Sequence, residues 1–407
     1  MKPTIHFFLL LTILGYGCQA QEFEAPSITG HIKTLADDSF QGRGTGTAGE
    51  KAAADYVMAA FRKLGLQPKG DNGTYLQSFP FRGGAHGEGE AGTAANIVGY
   101  LDNKASTTVI IGAHYDHLGT DGQQSSLDAN PQNKIHNGAD DNASGVAGVI
   151  ELARYFTSNG KKERNNFLFL CFSGEELGLL GSKYFADHAP VDLSTINYMI
   201  NMDMIGRLDP QTKTVTVHGT GTSPVWEPLL KKLETDNLKI KTDSSGTGPS
   251  DHTSFYLKNL PVLHFFTGAH SDYHKPSDDW EKINAAGEVE VLKLIANIVN
   301  SLDKEPKLTF LKTKSRMQAG RSAFKVTLGI MPSYTGDVEG LKVDGVTEGR
   351  PGDKAGMKTG DVIIQLGDHP IKDIQQYMDA LGKFEKGQTV PAKVKRDGKV
   401  LELEVIF

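Results

Sequence analysis

The chain reads as an α/β protein, a mostly parallel central sheet flanked by helices on both faces, followed by a small β-rich domain. Three observations predict this. Short, continuously apolar runs such as TTVIIGAH (107–114), NNFLFLCF (165–172) and LPVLHFF (260–266) alternate with stretches of helical period such as ASGVAGVIELARYF (143–156) and AAGEVEVLKLIANIVNSL (285–302). A run apolar at every position belongs to a strand covered on both faces, and strands alternating with helices favour parallel pairing. The 407 residues exceed one typical domain. After Leu302 the character changes to a basic, polar stretch, and then to short strands, turns and one helix.

Taken in order, MKPTIHFFLLLTILGYGCQAQ combines Lys2, an apolar run from Ile5 and small residues. This is the pattern of a secretory signal peptide over residues 1–20, with an apolar run too short to span a bilayer. Two processing routes stay open: cleavage ahead of Gln21, or lipidation of Cys18, which would anchor the protein to a membrane. Either route predicts export, to the periplasm or the medium. Residues 28–66 carry two amphipathic helical stretches around a Gly-rich turn, with Ala53, Tyr56, Val57 and Phe61 at helical spacing. AANIVGYL (94–101) and INYMINMDMIG (196–206) read as further strands, and LGLLGSKYFADH and PVWEPLLKKLETD as helices. The expected division is a catalytic domain over 21–305, a linker over 306–320 and a second domain over 321–407. Net charge is −6, which gives no electrostatic case for nucleic acid. Of the two cysteines, Cys18 falls in the leader, and Cys171 lies in an apolar strand as a buried thiol.

Five stretches carry chemistry: VIIGAHYDHLG with His114 and Asp116, NGADDNASG with Asp140 and Asp141, FSGEELG with Glu175 and Glu176, MINMDMIG with Asp203, and SDYHKPSDDW with His274. Four follow predicted strands and one precedes a helix, so the sheet gathers them at the carboxyl ends of its strands, where open α/β sheets bind ligands. Carboxylates packed together are costly unless cations neutralise them. Imidazole with carboxylate suits zinc. The ligands exceed what one open tetrahedral zinc needs and fit two metals sharing a bridging carboxylate. Of the adjacent glutamates, one can then bind metal while the other serves as general base. Singly, each residue has an ordinary alternative: a helix cap or turn for the aspartates, first-turn acids for the glutamates, a satisfied polar residue for each histidine. It is their joint occurrence that argues for a site.

On these motifs residues 28–302 resemble the dinuclear zinc peptidases that include secreted bacterial leucine aminopeptidases, with glutamate carboxypeptidases and one-zinc glutaminyl cyclases as relatives. The resemblance implies a zinc-exopeptidase fold and two Zn²⁺ ions. His114 and Asp203 would hold one ion, Glu176 and His274 the other, and Asp141 would bridge them, with a cis peptide after Asp141. It implies Glu175 as general base toward a water at the metals, Asp116 as the group orienting His114, and Tyr273 as a group that polarises the substrate carbonyl or stabilises the oxyanion. GPSDHTSFY (248–256) is similar to a further motif, with Asp251 and His252 as substrate-positioning candidates. His117, His136 and His270 read as loop residues near the pocket, Trp280 as packing, and the polar loop 118–138 as a cover for the site. All five ligand positions are present, which argues against a one-zinc cyclase.

GRPGDKAGMKTGDVIIQLGDHPI (349–371) resembles the core of a bacterial-type PDZ domain. FKVTLGIMP (324–332) would then supply the carboxylate-binding loop, with Leu328, Gly329 and Ile330 facing a C-terminal peptide added as a strand, and DIQQYMDALGKF (373–384) would wall the groove. Leu328 and Ile330 as plain core residues is the alternative. Three functions follow as expectations. The first is an exported two-zinc aminopeptidase acting on peptides. The second is a carboxypeptidase or amidohydrolase with the same metals, for which Arg207 is the cation to watch. The third is a PDZ scaffold with little catalysis, against which Glu175 and the complete ligand set speak.

Overall fold

The computed structural model describes residues 23–82, 91–122, 125–313, 326–332, 340–346, 349–372 and 374–407. The expected leader with Cys18, residues 314–320 of the linker and Phe324 and Lys325 of the carboxylate-loop stretch lie outside them.

One sheet of nine strands forms the first body: β1 (Gln67–Pro68), β2 (Leu76–Arg82), β3 (Ala91–Leu101), β4 (Thr107–His114), β5 (Asn165–Phe172), β6 (Ile196–Met202), β7 (Thr214–His218), β8 (Lys239–Asp243) and β9 (Val262–Phe266). Their spatial order is β1-β3-β5-β4-β6-β9-β7-β8, with β2 beside β3. The centre β5-β4-β6-β9 is parallel, and antiparallel pairs flank it, β3 with β5 and β7 with β9. Every residue of β5 and β6 is buried, as their unbroken apolar runs require. The covering helices are α1 (Ala25–Leu35), α2 (Ala48–Lys63), α3 (Gly145–Ser158), α4 (Leu180–Asp187), α5 (Trp226–Leu233), α6 (His252–Tyr256) and α7 (Ala285–Leu302). One core cluster packs α1, α2, α3, α5 and α7 on one face of the sheet. A smaller one gathers Phe172, Phe185 and Phe255 on the other.

The expected mostly parallel sheet is therefore present, with edges that the sequence did not announce. Strands β2, β7 and β8 alternate or are polar, and they sit at or near the sheet margins. Helix α4 begins at Leu180, later than the apolar pattern from Leu177 suggests, because Gly174 (φ 67°) and Leu179 (φ 61°) hold the intervening residues in a turn. Cys171 is buried, and burial alone pushes its thiol up.

The segment after α7 runs along this body: Leu308 joins its core, its N–H donates to Asn197 Oδ1 (2.8 Å), and Thr313 bonds Tyr256 Oη (3.1 Å). The second body is a six-stranded antiparallel sheet, β10 (Ile330–Pro332), β11 (Leu341–Val346), β12 (Val362–Leu366), β13 (His369–Pro370), β14 (Thr389–Arg396) and β15 (Lys399–Ile406), with helices α8 (Pro351–Lys354) and α9 (Ile374–Leu381). Leu328, Val343, Ile363, Val394 and Val405 form its own core. Among the described residues no helix is long and apolar enough to cross a membrane.

Candidate metal centre

The carboxyl ends of the parallel strands converge on one cavity of about 340 Å³. His114 ends β4, Glu175 and Glu176 follow β5, Asp203 follows β6, and Asp141 precedes α3. His274 arrives on the loop after β9. All six line the cavity, so every ligand expected from the sequence and the expected base are brought together.

The side chains form two clusters that share Asp141. His114 Nε2 lies 3.3 Å from Asp203 Oδ1 and 3.4 Å from Asp141 Oδ1. His274 Nε2 lies 3.3 Å from both Asp141 Oδ2 and Glu176 Oε2. The other ring nitrogens face backbone carbonyls, His114 Nδ1 at 3.2 Å from Asp116 O and His274 Nδ1 at 3.0 Å from Ser125 O. A ring that donates from Nδ1 presents a lone pair at Nε2 to the carboxylates, and carboxylates also bring only lone pairs. Something positive has to sit between them. Without it, burial opposes charge on His114, yet Asp203 and Glu175 still drive its protonation well above the ordinary range, and Glu176 does the same for His274. Glu176 is held well below the usual carboxylate range, as His274 and His117 outweigh burial. Two ligands at about 2.0–2.1 Å in a tetrahedral zinc shell stand about 3.3 Å apart, the separation seen in both clusters. The donor sets fit zinc, and Asp141 is common to both clusters.

Glu175 belongs to neither cluster. It lines the cavity, its backbone N–H donates to Asp116 Oδ1 (3.1 Å), and burial ahead of all else keeps its carboxyl well above the usual range. Asp116 itself is buried, and burial raises it to about 6. The structure places it differently from the expectation in one respect. Its carboxylate is 3.8 Å from His114 Nδ1, and its hydrogen bonds go to the Glu175 N–H and to Thr45 Oγ1 (2.9 Å), so it fixes the base's backbone while its carbonyl meets the ring. Tyr273 stacks on His274 with ring centroids 3.9 Å apart and lines the cavity. The peptide after Asp141 is cis.

Loop 118–138 does cover the site: Ser125, Ser126 and Leu127 line the cavity, and Leu127 N–H donates to His274 O (2.9 Å). The loop is locked by Gly42 (φ 66°), where a Cβ would strike His136 O and Gly119 O at 2.5 and 2.6 Å. Asp251 is buried beside the site, both its oxygens without a partner among the described residues, and burial raises it to about 7. His252 stacks on His264 (4.5 Å), and His264 lines the cavity in its place. Arg207 is taken up by Asp272 (3.2 Å) and Asp278 (4.0 Å).

Three contributors escaped the sequence reading. His117, read as a loop residue, is buried with Nδ1 2.8 Å from Glu176 Oε1, so it steadies that ligand. Asp278 Oδ2 accepts the N–H groups of Asp140 and Asp141 at 3.0 and 3.1 Å, holding the bridging acid. Arg43 is fully buried and donates to four carbonyls, those of Tyr115 (2.9 Å), Leu35 (2.6 Å), Asn137 (2.7 Å) and Gly138 (2.9 Å), tying the loops that carry Asp116 and Asp141. Burial lowers its pKa to about 10. The only signal for His117 and Asp278 is their place inside motifs already chosen; Arg43 has none.

The profile of Peptidase family M28 matches residues 96–299, half of the chain, and a PDZ domain profile matches 324–407. The chain is 28% identical over 245 residues to aminopeptidase YwaD of Bacillus subtilis, covering 56% of this chain and 49% of that protein. It spans about half the length of the curated relatives it matches. Its fold is similar to a Zn-dependent exopeptidase from Parabacteroides distasonis (TM-score 0.57, 21% identity, 69% of this chain and 99% of that one). It is also similar to Porphyromonas gingivalis glutaminyl cyclase (TM-score 0.55, 21% identity, 69% and 99%). A fold common to a peptidase and a cyclase leaves the chemistry to the side chains, and the family to the sequence profile, which spans all six site residues from His114 to His274: the chain belongs to Peptidase family M28, with a PDZ domain following.

Proposed function

We propose that this protein is an exported aminopeptidase that uses two zinc ions to remove N-terminal residues from peptides. The observation that carries the reading is the pair of histidine–carboxylate clusters sharing Asp141, with Glu175 beside them but in neither. His114 and Asp203 would hold one ion, Glu176 and His274 the other, and Asp141 both. When bound, such a pair polarises the scissile carbonyl and makes a water nucleophilic at neutral pH. The chain supplies the rest. Glu175, held by Asp116, takes a proton from the attacking water and returns it to the leaving amine. Tyr273 stands at the cavity wall to donate to the developing oxyanion. Arg207, the cation a carboxypeptidase would want, is neutralised by Asp272 and Asp278. Export rests on the leader pattern of residues 1–20, with Cys18 as a lipid attachment point or a discarded residue.

The test uses aminoacyl-p-nitroanilides beside N-acetylated and C-terminally amidated peptides, with zinc-loaded wild type and Glu175→Gln. Release only from free N-termini, reduced about 10²–10⁴-fold in the variant with zinc content unchanged, is expected. Hydrolysis indifferent to N-acetylation and lost on amidation would make it a carboxypeptidase. No hydrolysis at all would leave the PDZ domain as the working part.

A further inference from the structure

The cavity has two chemically different ends. The inner end holds Asp141, Glu175, Glu176 and Asp203. The outer end is built by the PDZ domain, through Thr327, Gly329, Ile330, Pro332 and Arg350, and among the described lining residues Arg350 is the one Lys or Arg. Gly329 is left-handed (φ 67°), and a Cβ on it would meet the Arg350 Cβ and Cγ at 2.3 and 2.5 Å, so the loop and the arginine stem are packed as a unit. The Gly329 N–H rests on Thr327 Oγ1 (3.0 Å), and the Leu328 carbonyl is spent on Gly352 N–H (2.7 Å) with its side chain in the core. The Arg350 residue is exposed, and its guanidinium has no hydrogen-bond or ion-pair partner among the described residues. β10, which carries Ile330 and Pro332, is the last strand of its sheet, with β11 as its neighbour on the other side.

We propose that the PDZ domain binds the substrate itself rather than a separate partner: Arg350 takes the C-terminal carboxylate of a short peptide whose first peptide bond lies at the histidine–carboxylate clusters. A free short peptide carries its carboxylate at the end away from the bond to be cut, and Arg350 is the cation at that end of the cavity. A carboxylate matches the planar fork of Arg350, and the chain leading to it can lie along the edge of β10. The substrate class is thus small peptides with free C-termini, and amides or longer chains are disfavoured because no carboxylate reaches Arg350. This rests on the aminopeptidase reading, which sets the N-terminus at the inner end.

The experiment measures kcat/KM on the full zinc-loaded chain for leucyl peptides from dipeptide upward, each as free acid and as amide, with leucine p-nitroanilide as a substrate lacking the carboxylate. At one short length the acid should exceed the amide by about tenfold. Arg350→Met should abolish that preference, leave the p-nitroanilide rate unchanged, and be partly rescued by Arg350→Lys. An acid-to-amide ratio near unity at every length, or one that Arg350→Met does not alter, overturns the proposal. N-acetylated peptides in the same series test the N-terminal reading separately, since their hydrolysis refutes it whatever the acid-to-amide ratio does.

Discussion

The two sheets of this protein bury themselves differently. In β5 every residue is buried, whereas β15 exposes alternate residues and keeps only Val405 fully inside. A sheet covered on both faces has only its strand ends left for chemistry, and there the first body places His114, Glu175, Glu176 and Asp203. A sheet with one face in solvent leaves its chemistry to a margin, and among the described residues β10 is the edge strand there. The histidine–carboxylate clusters and the edge strand β10 thus fall on the parts that each kind of burial leaves over.

The comparison can be broken with core truncations. Phe169→Ala, in the middle of β5 and stacked on Phe167 (5.9 Å), should cost about 3–5 kcal/mol. Leu403→Ala, partly exposed on β15, should cost less than about 1.5 kcal/mol. Denaturant unfolding followed by probes in each body would show it. Equal costs would mean that the second sheet carries its stability where the alternation says it does not.

Metal removal sharpens the contrast. Zinc at about 100 times its dissociation constant adds about 2.7 kcal/mol to the body that binds it. A chelator should therefore lower the transition of residues 23–313 by that order and leave the PDZ transition where it was. A shift of both would point to a PDZ domain whose folding depends on the metal-bearing body.

The same contrast governs what was legible in the sequence. Buried strands print themselves as apolar runs, so β4, β5, β6 and β9 were readable and led to the motifs at their ends. The marginal strands β2, β7 and β8 carry no such run. Ligands were legible because carboxylates and histidines at strand ends have few other reasons to gather. What holds the ligands was not. Arg43 works through backbone carbonyls of three separate segments, and Asp278 through two N–H groups more than 130 residues away. Such partners exist only once the chain has folded, and their own sequence surroundings are those of ordinary turns. Asp116 was expected to orient His114, yet its carboxylate stands 3.8 Å from that ring, and its hydrogen bonds depend on where Glu175 and Thr45 come to lie.

The smallest expected effect concerns an acid that the site does not use. Glu288 lies in the first turn of α7, fully buried, with neither carboxylate oxygen partnered among the described residues. The N-terminal end of a helix favours an anion by about 0.3–1 kcal/mol. Burial and the nearby Asp140 and Glu151 outweigh that, and the carboxyl is raised well above its ordinary value. The folded chain therefore keeps this proton while the unfolded chain gives it up near the ordinary value of 4.5. Stability is fully present below that value and falls as pH rises from there toward the folded-state value, at about 1.4 kcal/mol per pH unit. A glutamine fills the same space without a proton to retain. Glu288→Gln should match wild type near about pH 4, and its advantage should grow by about 1.4 kcal/mol between about pH 5 and about pH 6. Urea unfolding of both proteins across that window measures the difference. A constant difference would mean that Glu288 is ionised in the fold, with a cation or buried water beside it, and that this body buries its unused acids in the same manner as its ligands.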